Sequence, residues 1–82
     1  MYYIYVLKCA NNDLYIGYSK DLKSRIKKHF QGKIKSTKSK MPLKLIYYES
    51  YLNKFDAIKR ERQLKLHKTK KDLQKQIKNS LI

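Results

Sequence analysis

Acidic residues are scarce in this 82-residue chain: 6 Asp and Glu stand against 21 Lys and Arg, a net charge of +15 at pH 7. A basic tail on a neutral body is excluded. Residues 1–50 carry 11 basic and 3 acidic side chains, and residues 51–82 carry 10 and 3. The positive field therefore covers the whole chain. It attracts polyanions, nucleic acid ahead of an anionic membrane surface or an acidic protein. Self-repulsion of this size costs stability, so solubility alone is a poor reason for it. Cysteine is almost absent. Cys9 cannot close an intramolecular disulfide, and it cannot build a zinc site with only His29 and His67. With two glycines, Gly17 and Gly32, there is no phosphate-cradling loop and no cofactor fingerprint. Long hydrophobic runs are missing too: the uncharged stretch Met1–Leu7 is far short of the ~20 residues of a membrane span. Neither a basic start nor a small-residue cleavage site precedes it, so no signal peptide is expected. The expectation is one domain over residues 1–82, cytoplasmic, with no membrane partner and no small-molecule cofactor.

What is present is 41% hydrophobic residues, too many for a disordered polycation. Tyr2–Leu7 reads as a strand and Leu14–Tyr18 as its hairpin partner, with Ala10–Asp13 as the turn. A loop of odd length puts Ile4 and Val6 on the face of Leu14 and Ile16, and Tyr3, Tyr5 and Leu7 with Tyr15 on the other. Ser19 or Asp21 offers an N-cap for a helix carrying Leu22, Ile26 and Phe30, closed by Gly32. At ~100° per residue, Arg25 and His29 fall on the edge of that stripe and point towards the sheet. Residues 33–41 read as a basic Ser/Lys loop, and Leu43–Tyr51 as a third strand. Asn53 and Asp56 suggest a capping box for a helix with Phe55, Ala57, Ile58 and Leu64 on its apolar side. Thr69 and Asp72 look like a second cap, before an amphipathic helix over about 69–80 carrying Leu73, Ile77 and Leu81. The order is ββαβαα, an α+β fold: a small three-stranded antiparallel sheet flanked by helices.

Glu61 is the residue hardest to explain structurally, because it lies on the apolar side of its helix among Lys59, Arg60, Arg62 and Lys65. It is either a carboxylate drawn in to pair with those cations or a ligand for a divalent metal such as Mg²⁺, which takes one or two carboxylates and completes its shell with water and phosphate oxygens. Arg25 is either a surface charge or a planar fork for a phosphate. His29 titrates near neutrality and can relay a proton. Tyr5 and Tyr15 share a face beside Gly17, and a glycine in a strand marks close approach by a ligand or backbone. The tyrosines Tyr2, Tyr47, Tyr48 and Tyr51 read as core bodies with wet hydroxyls, Cys9 as a packed hydrophobe and His67 as an exposed junction residue.

Taken in order, Tyr3-Ile4-Tyr5, Tyr15-Ile16-Gly17, Arg25, His29 and the Glu61 helix resemble the GIY-YIG nuclease family, in its short stand-alone bacterial form. The likeness runs from Tyr2 to about Lys68. Tyr3 replaces the first glycine, Tyr18 stands where some members carry Lys, and the Asn that follows the glutamate in several nucleases has no counterpart. The resemblance implies a three-stranded antiparallel sheet and hydrolysis of DNA phosphodiester bonds with one divalent ion, Mg²⁺ or Mn²⁺. By position, Glu61 would hold the metal and Arg25 the scissile phosphate. Tyr5 and Tyr15 would orient or deprotonate the attacking water, with His29 assisting. Lys20, Lys23, Lys33, Lys35, Lys38, Lys40, Arg62 and Lys65 are the expected phosphate grip. The expected substrate is DNA in branched, damaged or single-stranded form, with RNA as the other polyanion. A monomer is expected, with sequence specificity left to a protein partner. The alternative is a non-catalytic basic nucleic-acid-binding module on the same scaffold. A weaker option is a membrane-surface role for the last helix.

Overall fold

The computed structural model describes residues 1–81. Their elements run β1 (Tyr2–Lys8), β2 (Leu14–Ser19), α1 (Leu22–Phe30), α2 (Lys35–Lys38), β3 (Lys44–Tyr51), α3 (Lys54–Leu64) and α4 (His67–Gln76), closing in a 3-10 turn at Lys78–Ser80. The sheet is antiparallel with order β2-β1-β3, so β1 is central and has both faces covered. That accounts for the unbroken buried run Ile4, Tyr5, Val6 and Leu7.

The hairpin register is the one the odd loop demands, with Val6 opposite Ile16 and Lys8 opposite Leu14. The connecting turn is held by the Asn11 side chain, whose Oδ1 accepts from the Asp13 N–H at 3.1 Å, and by Asn12 in the left-handed region at φ 68°. On one face, Ile4, Val6, Leu14 and Ile16 pack with Ala57, Leu64 and Leu73. On the other, Tyr5 and Leu7 pack with Ile26, flanked by Tyr15, Leu22, Leu43 and Leu45. The loose alternation of β3 has a cause: Val6 faces Tyr47 and Leu7 faces Leu45, leaving Ile46 as a bulge. The bulge keeps Ile46, Tyr47, Glu49 and Tyr51 towards α3 and turns Leu45 and Tyr48 towards α1.

Asp21 caps α1, its carboxylate accepting from the Ser24 N–H at 3.2 Å. Gly32 closes it at φ 71°, with the Lys33 N–H reaching the Lys28 carbonyl at 3.0 Å. Phe30 departs from expectation and is 45% exposed. Eight residues beyond Leu22 the helix has turned ~80° past it, whereas seven residues bring His29 back to within ~20°. His29 takes the inward place. Phe55 is likewise exposed, because it lies ~160° from Ala57 around α3. Asn53 caps α3 as expected, accepting from the Phe55 N–H at 2.8 Å.

Two further expectations change. The basic segment 33–41 is not all loop, since Lys35–Lys38 forms a helical turn. α4 begins at His67, with Leu66 as N-cap and no side-chain cap, so Thr69 and Asp72 lie inside the helix. The chain restarts a helix directly after α3, leaving no room for a later cap. The amphipathic side of this last segment is used within the fold: Leu73 is buried, and Ile77 and Leu81 pack against the same core. Lys8 Nζ donates to the Leu81 carbonyl at 2.9 Å and Lys70 Nζ to the Leu14 carbonyl at 3.2 Å, fastening it to the hairpin.

Candidate active site

Tyr5 leaves central strand β1 and lays its ring across Gly17, its partner on β2. A Cβ on Gly17 would come within 2.7 Å of Tyr5 Cε2, far inside van der Waals contact. The strand glycine therefore admits the tyrosine. Its hydroxyl lies 2.7 Å from Nε2 of His29 on α1, and both residues are fully buried. On the other side of the imidazole, Nδ1 lies 2.7 Å from Oγ1 of Thr37, also fully buried. Tyr15 closes the cluster: its ring is 5.3 Å from the His29 ring and 6.4 Å from that of Tyr5. The Ser36 hydroxyl donates to the Tyr15 oxygen at 3.3 Å.

Burial, with the nearby charge of Arg25, lowers the pKa of His29 and keeps the ring neutral near pH 7. Burial raises the Tyr5 hydroxyl, and Tyr15 and Glu61 add to that, while the Arg25 guanidinium beside it works in the opposite sense. Arg25 on α1 and Glu61 on α3 thus act in opposite senses on the charge of the same phenol. Arg25 Nε is buried without a hydrogen-bond partner among the described residues. A buried guanidinium nitrogen without an acceptor is costly, and an anion would satisfy it.

Glu61 is half-buried and makes one weak ion pair, with Lys65 at 3.7 Å. Among the described residues no group of three or more His, Cys, Asp and Glu converges, so a zinc-type cage is not formed. A lone half-buried carboxylate with only a weak partner fits the sparse protein ligation of Mg²⁺ or Mn²⁺, whose remaining ligands are water and substrate oxygens.

The structure thus gathers Tyr5, Tyr15 and His29, with Arg25 next to Tyr5. Glu61 stands on α3, which packs on the other face of the sheet, and the basic grip is spread out. Lys20 and Lys23 lie at the start of α1; Lys33, Lys35 and Lys38 are exposed around α2, and Lys40 is half-buried beside it. Arg62 turns to the outer side of α3 with Phe55, Ile58 and Leu66. Lys65 is engaged with Glu61.

The family model for the GIY-YIG catalytic domain matches residues 1–76. The chain belongs to the GIY-YIG nuclease family. Its relatives include UPF0213 proteins of Staphylococcus aureus strains Mu3 and MW2, each 40% identical over 73 residues covering 88% of this chain and 89% of theirs. A solution NMR structure of the UPF0213 protein BH0048 from Bacillus halodurans superposes with a TM-score of 0.59 at 34% identity, over 89% of this chain and 82% of that one. GIY-YIG nucleases act on DNA and are generally dependent on a divalent metal. No helix among the described residues of this GIY-YIG domain is long and apolar enough to cross a membrane.

Sequence reasoning missed two features of the GIY-YIG scaffold. Thr37 and Ser36 sit in a Lys/Ser-rich stretch too short for periodicity to register. Glu49 was overlooked: it accepts from the Tyr47 and Tyr51 hydroxyls and from Arg60 Nε at 3.0 Å and Nη2 at 3.0 Å. Tyr47 and Tyr51 are therefore not core bodies with free hydroxyls. The alternation Tyr47-x-Glu49-x-Tyr51 on one strand face was the available signal. Through Arg60 this cluster braces α3 against β3, one residue before Glu61.

Proposed function

We propose that this domain is a divalent-metal-dependent endonuclease that hydrolyses DNA phosphodiester bonds in branched, damaged or single-stranded DNA. The observation that carries the reading is the unpartnered Arg25 Nε beside the buried Tyr5–His29 pair. Arg25 binds the scissile phosphate and offsets charge developing on its oxygens. Tyr15, half-buried, orients the attacking water. Tyr5 takes the water's proton as its own hydroxyl proton passes to Nε2 of neutral His29, so the phenol never has to ionise alone. Thr37 holds the other ring nitrogen and fixes the plane of the imidazole. Glu61 holds Mg²⁺ or Mn²⁺, which supplies positive charge at the phosphate when bound. The exposed lysines around α1 and α2 grip neighbouring phosphates.

The test is a cleavage panel of plasmid, flap and single-stranded DNA with Mg²⁺ or Mn²⁺, for wild type and Glu61→Ala. Wild type should cut at least one substrate, and both chelation and Glu61→Ala should abolish cutting while DNA binding survives. Absence of cutting on every substrate would leave the non-catalytic binding module as the function, and equal cutting by the variant would overturn the role given to Glu61. That module predicts steep salt dependence and no effect of metal.

A further inference from the structure

Tyr48 was expected to be a core tyrosine, yet it is 54% exposed. It faces Tyr5 across the β1–β3 ladder, on the α1 side of the sheet. Beside it on that face stands Tyr3, the two rings edge to face with centroids 6.2 Å apart at 61°. Together with Leu45 and Ile26 they line an open groove of about 500 Å³ between the sheet and the first turn of α1. Lys20 and Lys23 form its rim, and both are exposed. The acid in the lining, Asp21, is engaged as the α1 cap through the Ser24 N–H.

We propose that this groove binds an unpaired nucleobase of a single-stranded segment next to the cleaved bond, stacked on Tyr48. An exposed aromatic face on an apolar floor, with ammonium groups at the mouth, matches the chemistry of a base and its phosphates. Charge complementarity favours a polyanion over a protein segment, since the chain carries +15. Within a duplex the base faces are covered by their neighbours, so the groove selects an unpaired strand. The cross-strand pairing of Tyr48 with Tyr5 places the groove beside the candidate active site. The proposal rests on the DNA-cleavage reading and narrows its substrate to DNA with a single-stranded portion at the cut.

Binding is measured in EDTA, so that nothing is cut, by fluorescence anisotropy with three labelled probes of equal length: a single strand, a strand of abasic sites and a duplex. Wild type should bind the base-bearing single strand more tightly than the abasic one. Tyr48→Ala should weaken single-strand binding about five-fold or more and leave abasic and duplex binding unchanged, whereas Tyr48→Phe should bind as wild type. The circular dichroism spectrum and melting temperature of Tyr48→Ala should match wild type, because the residue is exposed. Equal weakening on all three probes, or none on the single strand, would overturn the groove. A parallel cleavage assay separates the two readings. Base-dependent binding without cutting overturns the nuclease and keeps the groove; cutting without base-dependent binding does the reverse.

Discussion

The Tyr5 hydroxyl and Nε2 of His29, 24 residues apart in the chain, stand 2.7 Å apart and fully buried. A strand residue and a helix residue thereby form one buried hydrogen-bonded unit, with Thr37 behind it. Groups that act as a unit lose function together. Tyr5→Phe and His29→Gln should each reduce the cleavage rate by about 10²-fold or more, and the double variant should be no worse than the worse single. Additive losses in single-turnover kinetics would mean that the two residues act separately.

The same pair gives a pH signature. The lowered pKa of His29 means the folded chain holds that proton more weakly than the unfolded chain does. Stability should therefore fall as pH drops below about 6.5, the ordinary histidine value, until the folded pKa is passed. The acid limb of the cleavage profile should lie in the same range. His29→Gln should flatten this part of the stability curve, measured as urea midpoint against pH.

Gly17→Ala tests the close approach of Tyr5. The added Cβ meets the phenol ring itself, and both lie in a filled interior with little space to yield. The variant should lose about 1–3 kcal/mol of stability and displace the Tyr5 hydroxyl from His29. Thermal melting and the cleavage rate should fall together. A variant with wild-type melting would show that the ring has another place to go.

Thr37→Val removes the hydroxyl facing His29 Nδ1 with almost no change of shape. It leaves a buried ring nitrogen unpaired, at a cost of about 1–3 kcal/mol, and frees the imidazole to turn. Thr37→Ser should restore most of both stability and cleavage, since it keeps the oxygen. Rescue by serine but not valine separates positioning of the imidazole from simple packing.

The Glu49 cluster should dominate acid unfolding. Burial alone would raise this carboxyl, but the donors from Arg60, Tyr47 and Tyr51 outweigh it and hold the pKa below its ordinary 4.5. A depressed carboxylate stabilises the fold above its unfolded pKa and loses that contribution as pH falls through the folded one. Denaturation below about pH 4.5 should therefore be shallower in Glu49→Gln. At the other extreme the Tyr51 hydroxyl, by burial and then by its bond to Glu49, is pushed up to about 12. Its contribution is present below about pH 10 and disappears as the pH climbs towards 12. Tyrosinate absorbance in wild type should show a late-titrating group that moves earlier in Glu49→Gln.

The hairpin was legible because its physics is local: with a period of two, Ile4, Val6, Leu14 and Ile16 can share a face in only one register. Asp21 and Asn53 were legible as caps because an Asx side chain reaches only a few residues along its own chain. Phe30 and Phe55 misled because apolar character suggested burial, while the helical turn placed both away from the sheet. In each case the rotation counted for more than the residue type.

The amino-acid sequence by itself determined the positive field that attracts polyanions, the ββαβαα order of strands and main helices, and the ordered set Tyr5, Tyr15, Arg25, His29 and Glu61 that marks the family. Net charge, alternation and motif order are properties of the chain and survive without coordinates. Only the tertiary structure decided which tyrosine shares its hydroxyl with His29, that Thr37 stands behind the imidazole, that Glu49 gathers three donors, and that Tyr48 is open to solvent. Each of these depends on side chains brought together from separate elements by a sheet, a bulge and a helix crossing. No spacing along the chain encodes such meetings, because they are fixed by packing in three dimensions.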